Sequence, residues 1–131
     1  MQTTIAAAAS TNAILAVSTL SALALIQLFV DEWISLREAG MVINMLAELV
    51  LDLDVIFNHL ADIPTEGVYD ISTDLIEEQL TNLHGILQRI EQFKIEYGGI
   101  HRVYCQLCTT YDAVDRVFNV LEEKLTYFRR A

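Results

Sequence analysis

Thirty residues pass before this chain carries a charged side chain: Met1 to Val30 hold no Asp, Glu, Lys, Arg or His. A run of that length cannot form an ordinary surface helix, whose outer face needs polar and charged residues. It has to be enclosed, by the rest of the protein or by lipid. Its core, IAAAASTNAILAVSTLSALALIQLFV over residues 5–30, is long enough for either, because about 20 apolar residues cross a bilayer. Ala, Ser and Thr make up much of it, with Asn12 and Gln27 inside, so its hydrophobicity is modest. No basic flank sets a membrane orientation. Small residues spaced by four (Ala6 and Ser10, Ala9 and Ala13, Ser18 and Ala22) allow close helix contact in protein or lipid. The segment can therefore be the inner helix of a bundle, a membrane helix, or a helix buried in one state and released in another.

The rest of the chain is patterned for helices that pack on each other. In the last segment Ile100, Tyr104, Leu107, Tyr111, Val114, Phe118, Leu121, Leu125 and Phe128 alternate spacings of four and three, the seam of a bundle helix. Residues 73–97 repeat the rhythm with Ile76, Leu80, Leu83, Leu87 and Ile90. Residues 32–61 do so with Leu36, Ala39, Ile43, Leu46, Val50, Leu53, Phe57 and Leu60. Pro64 and Gly67 lie in the one long polar connection, DIPTEGVYDIST, which separates two helices. Ser72 is suited to cap the helix after it, with Asp74, Glu77 and Glu78 near its positive end. Gly98 and Gly99 permit a tight reversal into the last helix. The break before residue 32 is placed near Asp31 and Glu32, whose charges suit a helix start. The expected fold is all-α, an up-and-down four-helix bundle with a long apolar N-terminal helix. Residues 1–131 read as a single domain: residues 1–30 as the apolar helix and 31–131 as an acidic, heptad-patterned three-helix part.

Charge is distributed unevenly. Residues 31–78 hold twelve acids against Arg37, and residues 79–131 hold six acids against seven bases, giving −10 in total. Such a balance excludes nucleic acid, whose phosphates need a basic surface. The N-terminus lacks the basic residue of a secretory signal. Two cysteines, Cys105 and Cys108, are too few for a disulfide scaffold and fit a reducing interior. The expected location is cytoplasmic, with membrane association on activation.

Chemistry-bearing constellations are sparse. His101, Cys105 and Cys108 fall on one stripe of the last helix, and imidazole with thiolate suits zinc. A fourth ligand would have to come from His59 or His84, and small cysteines at a helix interface explain the stripe as well. Asp52 and Asp54 point to different sides of a helix, and no Glu-x-x-His pair is present for a di-iron bundle. HExxH, GxSxG and a phosphate-binding glycine loop are absent. Asp112 and Arg116 read as a surface pair, and Lys124, Arg129 and Arg130 as a complement to the helix C-terminus. The expectation is no catalytic residues, no metal and no cofactor.

An apolar first helix, then LxxLxxILxxIxxF (Leu80, Leu83, Ile86, Leu87, Ile90, Phe93), a short break and a last helix ending LEEKLTYF (Leu121 to Phe128) form a layout. It resembles the N-terminal four-helix domain of mixed-lineage-kinase-domain-like proteins and the HeLo-type domains of fungal cell-death proteins. That resemblance implies a non-enzymatic switch, in which a bundle oligomerises, engages a membrane and permeabilises it. Ile14, Leu15, Val17, Leu20, Leu23, Leu25, Ile26, Leu28 and Phe29, with Trp33 at the edge, would form the membrane or assembly helix. Leu83, Leu87, Ile90, Leu107, Tyr111, Phe118, Leu121 and Leu125 would form the seam that holds it. The vertebrate members bind anionic lipid through basic residues, whereas residues 31–78 here are acidic. The expected partners are other copies of the chain, membrane lipid and a partner helix. The rival readings are a structural subunit that builds filaments or closed oligomers by burying the first helix between chains, and a soluble helical adaptor.

Overall fold

Ser35 opens the first helix of the computed structural model, which describes residues 35–61, 63 and 73–130. Its backbone is extended, its Oγ accepts the Glu38 N–H at 3.1 Å, and its hydroxyl donates to Glu38 Oε1 at 3.2 Å. Ser-Leu-Arg-Glu thus satisfies an orphan donor at the helix start, in the manner of a capping box. Helix α1 runs Leu36–His59 and closes with the Leu60 N–H on the Ile56 and Phe57 carbonyls. It begins later than the Asp31–Glu32 boundary expected from sequence, because the serine cap sets the start. Helix α2 spans Thr73–Glu96 and helix α3 His101–Arg130. The described residues form these three helices and no strand. The apolar run, Trp33, Pro64, Gly67 and the Ser72 cap lie outside the described residues.

The turn between α2 and α3 is tight. The Tyr97 N–H bonds the Phe93 carbonyl at 2.8 Å, and the Ile100 N–H bonds Tyr97 O at 3.0 Å. A Cβ on Gly98 would lie 2.8 Å from the Lys94 carbonyl oxygen, closer than side chains tolerate, so this position requires glycine. The second glycine, Gly99, has open space around it.

One hydrophobic cluster draws on all three helices. It includes Leu49 and Leu53 of α1, Ile76, Leu83 and Ile90 of α2, and Val103, Leu107 and Leu121 of α3. Complete burial of each aliphatic side chain is worth ~1.5–3 kcal/mol. α2 and α3 pack together most extensively, α1 packs on α2, and α1 and α3 scarcely approach one another. Ion pairs brace both close interfaces: Arg89 of α2 with Asp52 of α1, and Arg129 of α3 with Glu77 of α2.

Two seams differ in phase from the sequence reading. On α1, Ile43 is exposed and Val50 only half-buried, whereas Val42, Met45, Leu49 and Ile56 are buried. On α3, Val103 is buried where Tyr104 was expected, and Tyr104 is 41% exposed. Leu80 of α2 is half-buried, and the neighbouring Gln79 is buried in its stead.

Candidate functional site

The structure brings the seam residues together around α2. Leu83, Leu87 and Ile90 meet a core that also holds Leu107, Leu121 and Leu125, all of them buried. Tyr111 and Phe118 are partly buried and pack against that cluster from its edge. Ile14, Leu15, Val17, Leu20, Leu23, Leu25, Ile26, Leu28, Phe29 and Trp33 lie outside the described residues.

Beside the seam, Lys94 enters a small aromatic cluster. Its ammonium bonds Glu91 Oε1 at 3.1 Å and sits 5.1 Å from the Tyr111 ring centroid and 5.9 Å from that of Tyr104. The hydrogen bond to Glu91 raises the Lys94 pKa above its ordinary 10.5, against the opposing effect of burial. Tyr97, whose ring centroid is 6.4 Å from that of Phe93, is also raised, first by burial and then by the charge of Glu96. A cation over two aromatic faces staples the α2–α3 turn.

A groove of about 440 Å³ runs between α2 and α3, lined by His84, Leu87, Glu91, Ile95, Tyr111 and Phe118 among others. Helical projection from Arg89, which marks the α1 side, sets His84, Glu91 and Ile95 about 120–160° away. The groove therefore lies on the far face of the α2–α3 pair. His84 meets Phe118 across it with ring centroids 6.3 Å apart.

The histidine–cysteine stripe reduces to one close contact. His101 Nε2 lies 3.6 Å from Cys105 Sγ, with Cys105 exposed and Cys108 half-buried, and both thiols are free. Among the described residues no group of three or more His, Cys, Asp and Glu side chains could hold a metal ion. His59 and His84 do not complete such a set. Asp52 and Glu77, read from sequence as an unremarkable acid and a first-turn acid, serve instead as the interhelical partners of Arg89 and Arg129.

Buried polar groups escaped the sequence reading. Gln79 is 1% exposed and its Oε1 accepts from Asn82 Nδ2 at 3.3 Å; Thr110 is fully buried and donates to the Gln106 carbonyl at 2.8 Å. Their signal was positional: Gln79 falls three residues after Ile76 and four before Leu83, on the seam itself.

Among the described residues, the outer face of α1 exposes several large apolar side chains. Met41, Leu51 and Val55 are each half exposed or more, with Ile43 at its margin. Among the described residues, no helix is long and apolar enough to cross a membrane. Comparison of the chain with protein-family models, with curated proteins and with solved structures finds no match in any of the three.

Proposed function

We propose that this chain is a non-enzymatic, membrane-directed interaction domain of the cell-death signalling type. Residues 5–30 are the effector helix of an up-and-down four-helix bundle, and α1–α3 hold it until contact with a membrane releases it. The domain resides in the cytoplasm, self-associates and meets membrane lipid or a partner helix on activation, without a cofactor. The supporting observation is a division of labour: the described helices are amphipathic and none is long and apolar enough to cross a bilayer, while the uncharged run ends four residues before the Ser35 cap of α1. Membrane engagement by this chain thus falls to residues 1–30.

Liposome flotation with dye release tests the reading on the full chain, using neutral and anionic vesicles. The unmodified chain should float and release dye. Leu23→Asp and Leu25→Asp should lose both properties, since an acid at a membrane-helix centre costs on the order of 3 kcal/mol. Circular dichroism should show that the variants keep their helix content. A chain that stays in the aqueous fraction with both vesicle types overturns the proposal.

A second reading, assembly between chains, is favoured by the exposed Met41, Leu51 and Val55 on α1. It is compatible with the first only if assembly leaves residues 5–30 free to act.

A further inference from the structure

The groove on the far face of the α2–α3 pair carries a pattern of its own. On α2 it is lined by His84, Glu91 and Ile95, at spacings of seven and four; on α3 by Tyr111, Asp115 and Phe118, at four and three. With 3.6 residues per turn, each trio spans only about 40–60° round its helix, so each is a single stripe. Two heptad-spaced stripes facing one groove are what a pair of bundle helices presents to a third. None of the described helices takes that place, because α1 packs on the Arg89 side of α2.

The lining combines apolar surface with negative charge. Ile95 is 76% exposed, and Tyr111 and Phe118 are only partly buried. No lysine or arginine lines the groove among the described residues. Glu91 gives one oxygen to Lys94, yet half of its side chain stays exposed. Asp115 is half-buried, and among the described residues it joins no ion pair or hydrogen bond. A carboxylate partly withdrawn from water without a cation costs desolvation that a basic partner offsets.

We propose that this groove seats one amphipathic helix of a partner protein, apolar along its buried face and carrying lysine or arginine beside it. Its apolar side chains pack on Ile95, Tyr111 and Phe118, and its cations meet Glu91 and Asp115. This gives a chemistry to the partner helix of the reading above, but it does not require membrane action by residues 5–30. Size fits: the stripes run about 10–16 Å along their helices, room for two to three turns. A groove of about 440 Å³ is within the range of clefts that hold inserted groups. A second copy fits less well, since its exposed Met41, Leu51 and Val55 lie in the segment where twelve acids face Arg37 alone, and like charges repel. Anionic lipid headgroups meet the same repulsion from Glu91 and Asp115.

Fluorescence anisotropy on the full chain tests the seat. The probe is a labelled synthetic helix of about 14 residues, or four turns, with leucines along one face and lysines flanking them. One control carries glutamate for lysine, and another has the same residues scrambled. The basic helix should bind, and both controls should bind at least about tenfold more weakly. Asp115→Asn should weaken binding about fivefold, and Ile95→Ser about fivefold or more. Glu123→Gln, which removes a charge from an exposed position of α3 outside the groove, should leave it unchanged. No binding, equal binding of the scrambled helix, or an equal response to Asp115→Asn and Glu123→Gln overturns the seat. A benzophenone photo-crosslinker incorporated at Gln92, which also lines the groove, identifies the occupant. Adducts to the probe uphold the proposal; adducts within the chain or to a second copy, with the probe excluded, overturn it. Flotation keeps this proposal apart from the membrane reading. Probe binding by a chain that never floats upholds the seat and removes membrane action; flotation with dye release by a chain that ignores the probe does the reverse.

Discussion

Lys94 shows how one side chain reconciles an apparent mismatch between pattern and packing. Tyr104 sits at a seam position by spacing, yet it is exposed. The ammonium of Lys94 explains its place: the charge needs a carboxylate and aromatic faces at the surface, and Glu91, Tyr104 and Tyr111 provide them. An exposed cation–π contact contributes about 0.5–1 kcal/mol. The same cluster makes stability depend on alkaline pH. Lys94 and Tyr97 both titrate higher in the folded chain than their ordinary 10.5 and 10.0, so the folded state binds more protons between the two sets of values. Stability is therefore full below about pH 10 and declines as pH rises through the raised values. Urea midpoints taken across that range should fall, and Lys94→Met, which keeps the apolar stem, should fall less steeply. A wild-type midpoint that is level across the range contradicts the assignment.

Among the elements, α1 was the hardest to phase from sequence. Leu36, Ala39, Ile43, Leu46, Val50, Leu53, Phe57 and Leu60 make a regular seam, but Val42, Leu46, Leu49, Leu53, Ile56 and Leu60 make one equally regular. Both sides of the helix carry large aliphatics, and spacing alone cannot choose between them; the position of α2, marked by Asp52 and Arg89, does. α2 was easier to read, since Glu77, Glu78, Gln88 and Glu91 oppose its apolar side, and Ile76, Leu83, Leu87 and Ile90 are buried as spaced. The interhelical ion pairs were illegible, because they join residues 37 and 52 positions apart. The α1 start, by contrast, was written in Ser35 and Glu38. Ser35→Ala should cost about 1 kcal/mol, seen as a lower urea midpoint with an unchanged slope. No loss at all would mean that the chain preceding Ser35 provides the start instead.

At the scale of the molecule, the all-helical class followed from period and sparse Gly and Pro, whereas the outer apolar face of α1 emerged only once the buried side was known. Met41, Leu51 and Val55 there are large and exposed, a surface of the kind that joins chains. Leu51→Lys with Val55→Lys should lower the weight-average mass in sedimentation equilibrium toward the 14.8 kDa of one chain; an unchanged mass places any association elsewhere. The arrangement of interfaces also has a mechanical side. α2 and α3 share a long, doubly anchored boundary, with the Lys94 staple at one end and Glu77–Arg129 at the other. α1 is held to α2 by the slighter boundary and hardly at all to α3. Among the described helices the α2–α3 pair is thus the fixed jamb, and α1 is the leaf hung on it through Asp52 and Arg89. Separation among the described helices would therefore begin at the α1–α2 boundary before it disturbs the α2–α3 pair.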